Sequence, residues 1–136
     1  MEILSFSHRD VAWFESAIAH QIESSMIVKS APTHQATIFL AGPIEVAKQV
    51  VRAYCKEIGL CVTIEPTTYI YTLGEEQGYR VGLINYPRFP RTGEEIHDAA
   101  VELGKILLEA THQGSFTVVS DVGTEFFSIR PQDADK

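Results

Sequence analysis

Two long β-forming segments separated by one short polar loop are the feature that most restricts the fold of this chain. Residues 61–72 are rich in Val, Ile, Thr and Tyr, and residues 79–86 resemble them in composition. The loop 73–78 between them is polar and contains two glycines. β-Branched and aromatic residues favour strands, and two such runs joined by a short glycine-containing loop favour a hairpin. The middle of the chain is therefore predicted to form part of an antiparallel sheet.

Helical patterns lie on both sides of this hairpin. Apolar residues recur at steps of three and four in residues 7–23, 43–58 and 92–110, which is typical of helices that cover a core. Thr92 and Glu95 have the spacing of a capping box, and Gly59 is placed to end the second helix in a left-handed conformation. Gly104, inside the third helix, costs about 1 kcal/mol relative to Ala, which predicts close packing against a neighbouring backbone.

Further strands are predicted at the N-terminus and at 36–41, 115–120 and 124–130, so the element order is β-α-β-α-β-β-α-β-β. Hairpins interleaved with helices favour an α+β fold over a doubly wound parallel sheet. We expect a mostly antiparallel sheet of about six strands with two to three helices packed on it. The 136 residues are enough for one domain, residues 1–130, followed by a polar C-terminal tail, residues 131–136.

Charge and hydropathy exclude several classes of partner. The chain has 18 acidic and 11 basic side chains, a net charge of −7, so duplex nucleic acid is not an expected partner. No segment approaches the roughly 20 apolar residues of a membrane span, and no secretory signal is visible. We therefore expect a cytoplasmic protein with no membrane partner, in which Cys55 and Cys61 remain thiols.

One segment has a positive net charge, although the chain as a whole is acidic. Residues 77–93 contain Arg80, Arg88 and Arg91 and no Asp or Glu. Arginines in a cluster bind phosphate or pyrophosphate through charge-assisted, often bidentate hydrogen bonds. The segment therefore predicts a site for a small anion.

Aromatic and amide side chains accompany these arginines. Tyr86 and Phe89 lie in the same segment, and Tyr71 lies on the facing strand, so a nucleotide base could stack beside the arginines. Asn85 ends an otherwise apolar row on its strand, where an amide could read a base or ribose edge. With Arg130 after the last strand, the candidate ligand-binding residues are Tyr71, Arg80, Asn85, Tyr86, Arg88, Phe89, Arg91 and Arg130. The structural alternative is that the arginines are solvated, the tyrosines pack, and the prolines stiffen a connection.

No pattern of catalytic residues is recognisable. The chain lacks a glycine-rich phosphate loop, and its five histidines show no metal-binding spacing. The pairs Glu75–Glu76 and Glu94–Glu95 are adjacent carboxylates, which suit loops and helix starts better than general acid–base catalysis. These patterns therefore predict no catalytic residue, no cofactor and no metal.

Residues 59–67, 69–72 and especially 81–90, with the stretch Asn-Tyr-Pro-Arg-Phe-Pro, resemble the first Thoeris anti-defence family of phages. The resemblance covers roughly residues 36–130. It implies a phage anti-defence protein that is not an enzyme, and that binds and sequesters a cyclic ADP-ribose isomer, or a cyclic oligonucleotide, without cleaving it. It also implies a homodimer or higher homo-oligomer in the cytoplasm of the host bacterium.

If the resemblance holds for the ligand, the candidate residues would contact different parts of a cyclic nucleotide. Arg88 and Arg91, with Arg80 or Arg130, would contact the pyrophosphate. Phe89 or Tyr71 would stack on adenine, and Asn85 would bond to the base or a ribose. Two other classes of function stay open: a protein-binding inhibitor that uses the arginine and aromatic side chains as its interface, and a small phosphoester-acting enzyme whose acid and base are brought together by folding.

Overall fold

The computed structural model describes residues 8–135, which belong to two compact units divided after Ser30. The first unit contains the helix α1 (His8–Ser25), in agreement with the first helical pattern. The strand predicted before it lies outside the described residues.

The second unit, which begins at Ala31, contains one five-stranded sheet and two helices. Its elements in chain order are β1 (Gln35–Ala41), α2 (Ile44–Ile58), β2 (Val62–Tyr71), β3 (Gly74–Ile84), α3 (Gly93–Ala110), β4 (Ser115–Ser120) and β5 (Thr124–Ser128). The strand order is β2-β3-β1-β4-β5, and all four neighbouring pairs are antiparallel. The predicted α+β fold is confirmed, with five strands in the described residues rather than six. A short 3-10 helix, Pro131–Asp135, occupies most of the predicted tail.

The hairpin of β2 and β3 is longer than its sequence suggests. Tyr71 pairs with Gly74, so most of the predicted loop is paired as strand and the connection is only Thr72 and Leu73. The polar composition of residues 75–77 predicts a loop, but these residues form strand. This part of the hairpin is exposed on both sides, so its polar side chains lose no contact with water.

One face of the sheet packs against the helices. Alternate residues of β1 are buried, and their antiparallel partners on β3 are buried with them. The core residues at most 3% exposed include Ile38, Leu40, Tyr79, Val81, Leu83, Leu103, Leu107, Phe116 and Val118. The period of two along each strand therefore separates a helix-covered face from an opposite face.

The helix ends follow the predicted capping rules. Thr92 accepts a hydrogen bond from the backbone of Glu95, whose side chain accepts one from the backbone of Thr92. Gly59 ends α2 with a φ of 78°. These local contacts set the direction in which the chain leaves each helix and enters the sheet.

We call the opposite side of β2, β3, β1, β4 and β5 the open face. It carries partly exposed side chains, among them Thr63, Glu65, Arg80, Thr37, Phe39, Thr117, Val119 and Phe126. Both helices of the second unit lie on the other side of the sheet. None of the helices in the described part of the chain combines the length and hydropathy that crossing a bilayer requires.

Candidate functional site

A cleft on the open face brings together some of the predicted ligand-binding residues. It has a volume of about 260 Å³ and is formed by β1, β2, β3 and the residues that follow β3. Its polar lining residues are Gln35, Thr37, Thr63, Glu65, Arg80 and Tyr86. Of the eight candidates, Arg80 and Tyr86 line this cleft.

Arg80 and Glu65, which both line the cleft, form an ion pair. They are directly paired across β3 and β2, and a guanidinium nitrogen of Arg80 lies 2.5 Å from a carboxylate oxygen of Glu65. Both side chains are about half exposed, so the pair contributes little to the stability of the fold. A guanidinium beside a carboxylate instead offers complementary partners for a ligand that carries both a carboxylate and an ammonium group.

Gly82, which has no side chain, lines the cleft beside this ion pair. Gly82 pairs with Thr63, and a Cβ atom added at Gly82 would lie 2.6 Å from the Thr63 hydroxyl oxygen. Glycine within a strand often marks a place where another group approaches the backbone closely. The Thr63 hydroxyl therefore occupies the space beside the Gly82 backbone, and a side chain at position 82 would displace it.

Aromatic rings lie next to the cleft. The Tyr86 and Phe89 ring centroids are 6.3 Å apart, and the Arg88 guanidinium lies 6.0 Å from the centre of the Phe89 ring. A hydrogen bond with the Cys61 side chain is the main cause that raises the pKa of the Tyr86 hydroxyl. Phe89 is 48% exposed, so its ring is available to stack on a base.

The cleft continues toward β4. A second cavity of about 420 Å³ shares Gln35 and Thr37 with the first and reaches Asp121. There the imidazole of His34 lies 2.7 Å from the Asp121 carboxylate, and this hydrogen bond lowers the pKa of Asp121. The open face thus offers a longer groove than the first cavity alone.

Asn85 occupies a different environment from the cleft. It is buried, its amide nitrogen donates to the Pro32 carbonyl at 2.8 Å, and its amide oxygen accepts from the Arg91 backbone at 2.7 Å. The amide therefore joins the segment before β1 to the segment before α3. Its contact with a ligand remains a prediction.

The remaining candidates are distributed around the cleft rather than within it. Tyr71 lies at the end of the β2–β3 hairpin with its ring against Gly74. Arg130 donates to the Ser115 hydroxyl at 3.1 Å and lines a separate cavity of about 190 Å³ with Glu76. The structure thus divides the eight predicted residues among several locations.

Sequence reasoning missed two polar residues of the cleft. Glu65 and Thr63 were assigned only to a strand, because nothing local distinguishes them from solvated side chains. The available signal was their alternation with Val62 and Ile64, which places the polar pair on one side of β2. Only the pairing register places Glu65 beside Arg80.

Metal-ligating side chains do not converge in the described chain. Within residues 8–135 no three His, Cys, Asp or Glu side chains are placed to hold a metal ion. The chemistry that the cleft itself offers is charge pairing, hydroxyl hydrogen bonds and aromatic stacking.

Two solved structures share this fold. A phage SAM lyase in the apo state superposes with a TM-score of 0.58 and 18% identity, over 78% of this chain and 98% of the lyase chain. A phage SAM lyase in complex with S-methyl-5'-thioadenosine superposes with a TM-score of 0.52 and 17% identity, over 76% of this chain and 95% of the other. No protein-family model matches the sequence, and no curated protein matches it either.

These structures correct the prediction that the chain is not an enzyme. Both neighbours are lyases, so the fold is one that supports catalysis. The prediction followed from the resemblance to a sequestering family and from the lack of a recognisable acid–base pair or nucleophile in the sequence. That reasoning fails because a reaction within a single substrate molecule can draw its reacting groups from the substrate, leaving the protein to bind and orient them.

Proposed function

We propose that this chain is a phage anti-defence enzyme that binds S-adenosyl-L-methionine and cleaves it to S-methyl-5'-thioadenosine. The observation that carries the proposal is the shared fold, which extends over 98% of a phage SAM lyase chain. The second lyase structure contains S-methyl-5'-thioadenosine, the part of S-adenosyl-L-methionine that remains after its four-carbon amino acid group has left.

The cleft on the open face suits the parts of this substrate. Arg80 would bind the carboxylate of the amino acid group, and Glu65, 2.5 Å from it, would bind the ammonium group. The hydroxyl of Thr63 lies beside them for the ribose. Phe89 and Tyr86, at the end of the cleft, would contact adenine.

The chemistry balances without a base from the protein. The bond between the sulfonium sulfur and the γ-carbon breaks, and its electron pair passes to sulfur, which becomes a neutral thioether. The substrate's own carboxylate oxygen forms a new bond to that carbon and closes a lactone, so no water is consumed and no proton is lost. In this route Arg80 orients the attacking carboxylate, and positioning is the main contribution of the protein.

Such an activity accounts for an anti-defence role. S-Adenosyl-L-methionine is the methyl donor for many cellular reactions, and its removal in the cytoplasm of the host bacterium would deprive methylation-dependent defences of their substrate. The homo-oligomer expected from the sequence is kept as part of the proposal, and sedimentation of the purified protein measures it.

The test is to incubate purified protein with S-adenosyl-L-methionine and follow both products by liquid chromatography and mass spectrometry. Arg80→Ala and Glu65→Gln each remove a charge-assisted contact of about 1.5–3 kcal/mol, so kcat/KM should fall about 10- to 150-fold. Arg52→Ala, an exposed change on α2, is the matched control and should leave kcat/KM unchanged. Absence of S-methyl-5'-thioadenosine, or full activity in both cleft variants, would contradict the proposal.

A cyclic ADP-ribose isomer is a second candidate ligand. It shares adenosine with S-adenosyl-L-methionine, and the observation that favours it is the exposed group of Arg88, Phe89 and Tyr86, which offers a cation beside stacking rings. Calorimetry with cyclic ADP-ribose isomers and cyclic oligonucleotides, followed by chromatography of the released ligand, measures both binding and conversion. Loss of binding in Arg88→Ala with Phe89→Ala would support this ligand, and no binding would exclude it.

A further inference from the structure

Three side chains from different elements are joined by hydrogen bonds beside the turn between β4 and β5. The Nδ1 atom of His97, on α3, lies 2.6 Å from the hydroxyl oxygen of Ser120, the last residue of β4. The Nε2 atom of His97 contacts the carboxylate of Glu125 on β5. Ser120 and Glu125 are 23 and 28 positions from His97, so only the packing of α3 on the sheet brings the three together. We call Ser120, His97 and Glu125 the triad.

The Glu125 carboxylate determines where the proton of the His97 ring lies. An ionised carboxylate only accepts hydrogen bonds, so the Nε2 atom of His97 must be the donor in that contact. In a neutral imidazole the Nδ1 atom is then an acceptor, and the Ser120 hydroxyl donates to it. The other acceptor near this hydroxyl, the Gly123 carbonyl, is farther away at 3.4 Å. A serine that donates to a histidine, which in turn donates to a carboxylate, is the arrangement of an activated nucleophile.

Burial differs along the triad. His97 is only 5% exposed, so water competes little for its two ring nitrogens. Ser120 is partly exposed, and the turn 121–123 that follows it is exposed. The Glu125 side chain is 54% exposed. The histidine is therefore held between its two partners, whereas the serine lies where a small molecule can approach it.

The turn after β4 fixes the position of the Ser120 hydroxyl. The backbone N–H of Val122 donates to the hydroxyl oxygen at 3.1 Å. Ser120 and Gly123 also exchange two backbone hydrogen bonds, of 3.0 and 3.2 Å. A nucleophile that is already held in place loses less entropy when it reacts. The N–H of Val122 would also stabilise the negative charge that develops on this oxygen as its proton moves to His97.

Ser128 on β5 is a matched serine without a histidine partner in the described residues. Its hydroxyl donates to the Asp133 carboxylate and accepts from the backbone N–H of Arg130 at 3.0 Å. Carboxylates are weaker bases than imidazoles, so a serine beside a carboxylate alone is not activated. The two serines therefore separate the effect of the histidine from that of an ordinary hydrogen bond.

We propose that Ser120 is a nucleophile that cleaves small carboxylic esters with good leaving groups, with His97 as its general base and Glu125 as a positioning residue. The Ser120 oxygen bonds to the acyl carbon, and its proton passes to Nδ1 of His97. The bond from that carbon to the leaving oxygen breaks, and the leaving group takes the electron pair and then the proton. Water next attacks the acyl-serine, which releases the carboxylic acid and restores the hydroxyl. The inference is independent of the proposed function, because none of the three residues lines the cleft of Arg80 and Glu65.

Release of p-nitrophenol from p-nitrophenyl acetate tests the activity. Ser120→Ala measures the background reaction at other side chains, and the wild-type protein should be about 10- to 100-fold faster. His97→Ala should be as slow as Ser120→Ala, and added imidazole should restore part of its rate, which a purely structural histidine would not show. Ser128→Ala is the matched control and should keep the wild-type rate. A Ser120→Ala protein as fast as the wild type would overturn the proposal.

Phenylmethylsulfonyl fluoride locates the nucleophile. The serine oxygen bonds to sulfur, fluoride leaves, and mass spectrometry of peptides identifies the labelled residue. The label should be on Ser120 and not on Ser128. Glu125→Gln, at an exposed side chain that folding does not require, should slow labelling about tenfold, and Glu125→Asp should recover part of the rate. Equal labelling of the two serines, or no label on Ser120, would contradict the proposal even if His97→Ala fails to fold.

Discussion

Asn85 joins two segments of the chain through a single amide group. Its nitrogen donates to the Pro32 carbonyl and its oxygen accepts from the Arg91 backbone. Because Asn85 is only 8% exposed, loss of its amide would remove two hydrogen bonds from a partly buried site. At the scale of a residue, this side chain holds the segment 86–91 between β3 and α3 by binding the backbone of Arg91.

Replacing Asn85 should therefore destabilise the protein whatever its role in binding. We expect Asn85→Ala to lower the free energy of unfolding by about 1–3 kcal/mol, from the loss of two hydrogen bonds of about 0.5–1.5 kcal/mol each. Urea unfolding followed by circular dichroism measures this change. Arg88→Ala, an exposed change in the same loop, should alter stability by less than about 0.5 kcal/mol. Equal stability of the two variants would contradict the structural role of Asn85.

The packing of α3 on the sheet depends on one position without a side chain. A Cβ atom added at Gly104 would lie 2.3 Å from a ring carbon of Phe116 on β4. The sequence predicts a neighbouring backbone at this position. The structure places an aromatic side chain there instead. At the scale of an element, Gly104 sets how closely the helix can approach the sheet.

Gly104→Ala should consequently destabilise the fold even though Ala is the better helix former by about 1 kcal/mol. Overpacking against Phe116 costs about 1–3 kcal/mol, so we expect a net loss of up to about 2 kcal/mol in the free energy of unfolding. Thermal and urea unfolding measure it. Phe116→Leu added to Gly104→Ala should recover part of the loss, whereas Lys105→Ala, at the next and exposed position, should change little. A stabilised Gly104→Ala protein would show that propensity outweighs packing here.

Two buried tyrosines, Tyr54 and Tyr79, make the stability of the whole molecule depend on pH. Burial is the main cause that raises the pKa of both Tyr54 and Tyr79 to about 12. The unfolded chain binds these protons less tightly, with a pKa near the ordinary value of about 10. The stability linked to the two groups is therefore complete below pH 10 and is lost as the pH rises from about 10 to about 12.

Stability of the wild-type protein should fall steeply across that interval. Tyr54→Phe should reduce the slope, because one of the two linked protons is removed. Urea midpoints at several alkaline pH values, with tyrosinate absorbance recorded in parallel, measure both effects. Tyr71→Phe, at the exposed end of the β2–β3 hairpin, serves as the control. A wild-type midpoint that does not change between pH 10 and 12 would contradict the burial of these hydroxyls.

Much of the fold is determined by the sequence read over short distances. The strand periods, the helical steps and the caps at Thr92 and Gly59 depend on residues within about four positions of each other, so local patterns predicted an α+β chain with an antiparallel sheet. The polar hairpin extension was predicted less well, because exposed strands need no apolar alternation.

The site depended on tertiary structure. Glu65 and Arg80 are 15 positions apart, and they meet only because the register of β2 and β3 pairs them. The bonds of the Asn85 amide to Pro32 and Arg91 also join residues that are far apart or out of pattern in the sequence, and its contact with a ligand stays a prediction. The prediction of a protein without catalysis was wrong, because the fold is shared with lyases and a fold is not visible in a local motif. Charge and aromatic content were determined by the sequence, whereas which of these side chains share a cleft was decided by strand register and by helix packing over long separations.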